Sequence, residues 1–318
     1  MPSELQKPRV FVTGDLAVDY VVSDVVLDRI TRIPPTTLVP GGSCYNGSLA
    51  FARQGFSTHA FGSVGRDRAG DEVLDGLRQS QVRPLVARHP DRGTCVCHVI
   101  YLRSNPPKRV LFYEGRNANI YDPERLASAL SEFRPQPTDV LVASLHIIDQ
   151  VEGDLAHCKE FFDVLRSAKA RLVLDLVPHA IYARWRLDEI AECVGTGFFL
   201  IVAEYQTLAG LTGLPATSNE RLRCVEALSA RLDPRYLSCR FGAGNIDAED
   251  LVFRSARKFT FLRRDHATGY AKLEPHLRRG FGDALTADDL ERVLENERSR
   301  GGRDATADDH RRVASEEL

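Results

Sequence analysis

Short apolar runs alternate with amphipathic stretches along most of this chain, and that rhythm restricts the fold more than any other feature. Strands are predicted over 9–13, 59–64, 140–144, 171–176, 198–202 and 236–240. Helices are predicted over 43–53, 70–80, 123–132, 155–168, 205–211 and 219–232. Strand–helix–strand units of this length give a mostly parallel sheet covered by helices on both faces. The rhythm breaks at 16–38 and 94–114, where β-rich runs such as Tyr20-Val21-Val22 are not followed directly by a helix. Those two stretches are expected to form a small antiparallel sheet projecting from the main one.

Composition excludes several classes. With 318 residues, 43% of them hydrophobic, the chain can bury one large core. A net charge of −2 steers it towards neither nucleic acid nor an anionic membrane. No apolar run reaches the ~18–20 residues that span a bilayer. The N-terminus lacks the apolar segment of a secretory signal, so a cytoplasmic protein is expected. The seven cysteines include no CxxC, and the nine histidines show no ligand spacing, so a zinc site is not expected. Cys95 and Cys97 alternate onto one strand face with Val99 and read as small buried residues.

Two glycine motifs carry the chemistry. Gly280-Phe281-Gly282-Asp283 precedes a helix-like run; its amides can face one anion, and Asp283 sits where a base would take a proton from an attacking hydroxyl. Far upstream, Gly41-Gly42-Ser43-Cys44-Tyr45-Asn46 opens a helix that Gly55 ends. Read alone, the first motif is an ordinary turn before a helix and the second an ordinary helix in an α/β protein.

Together, in this order and this far apart, the two motifs resemble the signatures of the PfkB family of sugar and nucleoside kinases. Val10 to Asp19 resembles the family's first strand and the aspartate after it; Gly115 to Asn119 resembles the end of its lid region. The resemblance implies a ribokinase-like three-layer α/β/α sandwich with a mostly parallel central sheet and a small antiparallel β lid. It implies one domain over 1–298, with lid strands within 16–38 and 94–116, followed by a charged, disordered tail over 299–318. It implies transfer of the γ-phosphate of ATP, with Mg2+, to a hydroxyl of a sugar or nucleoside, and a homodimer formed through the lid. Catalysis would fall to Asp283 with Gly280 and Gly282. The acceptor would lie on Asp19, Gly41, Gly42 and Asn46, the nucleotide on Arg240, Gly242 and Phe281, and the metal on Glu204.

The chain also departs from the family pattern. Leu277-Arg278-Arg279 stands where an Asp-Thr usually precedes the glycines. Glu204-Tyr205-Gln206-Thr207 keeps one carboxylate of an Asn-x-x-Glu but shifts it, and Arg240 replaces a threonine. After Asp283 only Leu290, Val293 and Leu294 offer an apolar stripe for the adenine. A sugar- or nucleoside-binding protein with impaired phosphoryl transfer is therefore the alternative reading. A dinucleotide-binding oxidoreductase is disfavoured, because Gly14 is a lone glycine after the first strand.

Overall fold

The structure, a computed structural model, describes residues 7–25, 38–102, 108–113, 122–145, 155–176, 185–240, 249–255, 258–264 and 281–301. In chain order the strands are β1 (Arg9–Thr13), β2 (Ala17–Val25), β3 (Leu38–Gly41), β4 (Ser57–Gly65), β5 (Arg83–His89), β6 (Cys95–Leu102) and β7 (Lys108–Tyr113). They continue with β8 (Val140–Ser144), β9 (Arg171–Leu176), β10 (Leu200–Glu204), β11 (Tyr236–Arg240), β12 (Glu249–Ser255) and β13 (Lys258–Arg264). The helices are α1 (Ser43–Arg53), α2 (Arg68–Gln79), α3 (Pro123–Phe133), α4 (Leu155–Ser167), α5 (Leu187–Val194), α6 (Tyr205–Thr212), α7 (Arg221–Leu232) and α8 (Phe281–Gly301).

Among the described residues, nine strands form the main sheet in the order β13-β12-β11-β10-β9-β8-β1-β4-β5. The seven from β11 to β5 pair in parallel, while β12 and β13 add an antiparallel edge. Alternation along each central strand separates two cores. Phe11, Leu141, Leu172, Leu174, Ile201 and Leu237 face α3 to α7. Their neighbours Val10, Val12, Val140, Val142, Val173 and Val202 face α1, α2 and α8. Both faces are thus dry, as a parallel sheet requires, and the architecture is the expected three-layer sandwich.

Local chemistry starts the helices where they start. Asp67 caps α2 by accepting from the Gly70 amide at 2.8 Å. Asp122 caps α3 ahead of a proline at its first turn, and α3 buries Leu126, Leu130 and Phe133 as one stripe. Helix α8 is held differently. Ala287, Leu290, Val293 and Leu294 pack into the second core. Its acidic side chains reach the rest of the molecule: Lys7 pairs with Glu291, Ser238 donates to Asp289, and Gln54 donates to Asp288. Glu297 meets Arg171 at 3.0 Å and Arg235 at 2.8 Å. The 288–298 stretch is therefore tied to the sheet by both apolar and polar contacts.

Among the described residues, the second sheet has four strands in the order β3-β2-β6-β7. Three of its strands lie within the expected lid segments and β3 starts where the first of them ends, and the sheet is mixed rather than wholly antiparallel. β2 pairs with β3, and β6 with β7, in antiparallel fashion, whereas β2 and β6 run parallel. Periodicity had fixed the faces of these strands and left their partners open. Cys95, Cys97 and Val99 are buried on one face of β6, while Val96, His98 and Ile100 are half-buried on the other. All seven cysteines are buried free thiols.

Candidate active site

Strand β1 lies between β4 and β8. The chain moves from β1 to β4 and β5 on one side, then returns to β8 and β9 on the other. That reversal opens a crevice beyond the carboxyl ends of β1 and β8, the general ligand position of open α/β sheets. A small cavity occurs there, lined by Thr13 of β1, Ser144 of β8, Asp175 of β9, Ser43 and Gly47 of α1, and Thr286 of α8. Thr13 is 1% exposed, and its hydroxyl is buried without a hydrogen-bond partner.

The first glycine motif is built around contacts that no side chain would fit. Gly42 has φ +92° and precedes α1. A Cβ there would collide with the Asp15 carbonyl, its carbon atom lying only 2.8 Å away. The same turn is tied to the β1–β2 connection: the Asp15 amide donates to Ser43 Oγ at 3.0 Å, and the Cys44 amide to the Asp15 carbonyl at 3.0 Å. Gly41 is bare for another reason. A Cβ on it would lie 2.7 Å from Cγ and 2.9 Å from Oδ1 of Asp19, so the carboxylate rests against the Gly41 backbone. Asp19 is 5% exposed. Asn46 is half-buried in the first turn of α1, and its amide donates to the Gly42 carbonyl at 2.9 Å. The structure therefore brings Asp19, Gly41, Gly42 and Asn46 together.

The second motif opens α8. Phe281, Gly282 and Asp283 are the first three residues of this helix, while Gly280 lies outside the described residues. Asp283 precedes the cavity-lining Thr286 by about one helical turn. Helix α8 also packs directly against α1, so both glycine motifs lie at the ends of neighbouring helices.

The predicted nucleotide side is farther along the sheet. Glu204 ends β10 and Arg240 ends β11, and the parallel register places them opposite one another. Gly242, like the Gly115 to Asn119 segment, lies outside the described residues. Among the described residues no group of three or more His, Cys, Asp or Glu side chains is arranged to hold a metal ion. One carboxylate at a strand end still suits magnesium, which is commonly held by one or two carboxylates together with substrate phosphates.

Two aromatic side chains close to these motifs in sequence point elsewhere. Tyr20 follows Asp19 directly, so strand alternation turns it to the opposite face, where it stacks on His98 with centroids 5.2 Å apart. Tyr45 is buried between α1 and α2, and a Cβ on Gly76 would lie 3.1 Å from its ring carbon Cζ. Sequence reading had also left Asp67 without a role. Besides capping α2, it accepts from the Thr94 hydroxyl at 2.6 Å and the Thr94 amide at 2.8 Å. Burial pulls its carboxyl upward, but the hydrogen bonds from Thr94 and Gly70 outweigh burial and hold it below the usual carboxylate range.

Comparison with known proteins agrees with this fold. Residues 7–234 match the family described as pfkB family carbohydrate kinase. A ribokinase of Bacillus subtilis (strain 168) is 26% identical over 186 residues, which are 54% of this chain and 59% of that protein. The alignment thus spans less than two thirds of that relative's length. Among solved structures, a ribokinase from Giardia lamblia superposes with a TM-score of 0.65 at 13% identity, covering 81% of this chain and 75% of its own. Escherichia coli phosphofructokinase-2 in complex with fructose-6-phosphate gives 0.65 at 14% identity, covering 91% and 88%. Adenosine kinase from Sinorhizobium meliloti gives 0.65 at 16% identity, also covering 91% and 88%. Such identities speak to the fold alone; the match over residues 7–234 goes further, and the chain belongs to the pfkB family of carbohydrate kinases.

Proposed function

We propose that this protein transfers the γ-phosphoryl group of ATP to a hydroxyl of a sugar or nucleoside. The observation that carries the reading is the Asp19 carboxylate lying against Gly41 beside the Gly42–Asn46 turn, whose neighbours Ser43 and Gly47 line the small cavity that Thr286 of α8 also borders. A buried carboxylate with two acceptor oxygens suits two hydroxyls of one sugar. Asp283 would accept the proton of the attacking hydroxyl, and the amides of Gly280 to Asp283 would stabilise charge on the moving phosphoryl group. Arg240, Gly242 and Phe281 would hold the nucleotide. Glu204 would hold magnesium, which supplies neutralisation of phosphate charge when bound. Such a reaction depends mainly on positioning.

We place the protein in the cytoplasm, where ATP is available and buried thiols stay reduced. We also propose a homodimer through the lid. Tyr20, Val96, His98 and Ile100 form a half-buried face opposite Asp19, and a partner's lid would cover it.

The test is a phosphoryl-transfer screen with ATP and magnesium against a panel of sugars and nucleosides. Turnover of one hydroxyl acceptor supports the reading; binding of an acceptor with no transfer rejects it. One observation favours the second outcome. Leu290, Val293 and Leu294 are fully used in the core, at 0%, 0% and 3% exposure, and so cannot wall an adenine. At ~25 cal/mol per Å², a site lacking that apolar area binds ATP weakly. A sugar- or nucleoside-binding protein with impaired transfer is the corresponding second reading.

A further inference from the structure

The lid sheet joins the core where β5 passes into β6, and that crossing is knotted. Thr94 immediately precedes β6. Its hydroxyl donates to Asp67 Oδ1 at 2.6 Å and accepts from the Gly65 amide at 3.0 Å. Its amide donates to Asp67 Oδ2 at 2.8 Å. Arg88 of β5 steadies the same turn, pairing with Asp71 at 2.6 Å and reaching the Gly65 carbonyl at 3.4 Å. No side chain fits on the glycines of the knot: a Cβ on Gly65 would lie 2.6 Å from the Thr94 amide nitrogen, and one on Gly70 2.9 Å from the Thr94 hydroxyl.

One residue beyond the knot, Cys95 pairs with Ala17, and Cys97 then pairs with Asp19. The anchoring of Thr94 therefore sets where β6 meets β2, and β2 carries the acceptor carboxylate. We infer that Asp67 is a positioning residue: its carboxylate latches the root of β6 to the core and so holds the lid, with Asp19, in place over the crevice. A helix cap alone needs only one of its oxygens; the second is committed to the lid.

Asp67→Asn separates the two roles. Asparagine caps helices as well as aspartate does. Its amide nitrogen, however, would face the Thr94 amide donor to donor when the oxygen keeps the cap. The experiment is hydrogen exchange on the full chain for Asp67→Asn, Thr94→Val and Thr94→Ser. The latch predicts that amides of β2 and β6 exchange about tenfold faster or more in Asp67→Asn and Thr94→Val, because a hydrogen bond to a charged group is lost. Protection of β1, β8 and β9 should not change, and Thr94→Ser should behave as the parent. Should Thr94→Val fail to fold because the Gly65 amide loses its acceptor, Asp67→Asn alone decides. No change in the lid, or an equal loss of protection across the core, overturns the inference.

The kinetic counterpart rests on the kinase reading. Asp67→Asn should raise KM for the acceptor about tenfold while leaving KM for ATP near its parent value, and equal rises would overturn the positioning role. A parent with no turnover would count against the kinase reading and leave exchange to decide the latch.

Discussion

Gly41→Ala should damage acceptor binding while barely disturbing the fold. The added methyl would lie 2.7 Å from Cγ and 2.9 Å from Oδ1 of Asp19, well inside contact distance. The obstacle is a side-chain terminus rather than backbone, so the carboxylate can swing away and relieve the clash. Gly41 does not have the positive φ found at Gly42, and replacing glycine by alanine in a compatible conformation stabilises by ~0.4–1 kcal/mol. Little net stability should therefore be lost. Binding should suffer, because hydrogen bonds to a charged group contribute ~1.5–3 kcal/mol each and are not additive. Displacing a carboxylate that accepts two of them should cost about 2–4 kcal/mol, or roughly 30- to 1000-fold in Kd. Gly42→Ala is the contrasting control. Its methyl would meet the Asp15 carbonyl with φ at +92°, and rigid backbone cannot step aside, so this variant should lose thermal stability. Calorimetric titration of the acceptor and a thermal melt read both quantities. A Gly41→Ala protein that binds acceptor like the parent would refute the placement of Asp19 in the acceptor site.

Three further outcomes are expected. Asp283→Asn should lower kcat by about 10²–10⁴-fold with nearly unchanged acceptor affinity, as steady-state kinetics and titration would show. ATP–magnesium should bind more weakly than the acceptor, in the high-micromolar range or above on the ~25 cal/mol per Å² argument; low-micromolar binding in a paired titration would instead show a complete nucleotide site. His59 is held below its ordinary imidazole value of 6.5, first by burial and then by Arg83 and Arg9. The unfolded chain therefore binds this proton more readily than the folded one, so stability should fall as pH drops below about 6.5 and recover above it. Thermal melts between pH 5 and 8 should show this slope, and His59→Phe should flatten it.

Sequence period revealed most of the main sheet because its central strands are buried on both faces. β1, β8, β9 and β11 follow the apolar runs residue for residue. β5 escaped notice since it is an edge strand, half-exposed, reading Arg83-Pro84-Leu85-Val86-Ala87-Arg88-His89. The parallel pairing of β2 with β6 was hidden because alternation specifies a face and not a neighbour. Of the site, the glycine motifs were legible as motifs. The reason for Gly41 was not, since it lies in the Asp19 side chain of the neighbouring strand. The Asp67–Thr94 tie joins the start of α2 to the root of β6, and no local pattern announces such a contact. The ion pairs of the α8 acids were not legible, because their partners, Lys7, Arg171 and Arg235, are distant in sequence.

The central claim is that Asp19 and Asp283 serve one reaction at one crevice. Transfer of γ-labelled phosphate from ATP to the acceptor, measured in a single turnover for the parent, Asp19→Ala and Asp283→Asn, tests it most directly. The account predicts labelled acceptor from the parent, a rate restored at high acceptor concentration in Asp19→Ala, and a rate lowered at every concentration in Asp283→Asn. Transfer that proceeds at the parent rate in Asp283→Asn, or an acceptor that binds the parent and is never labelled, would contradict it.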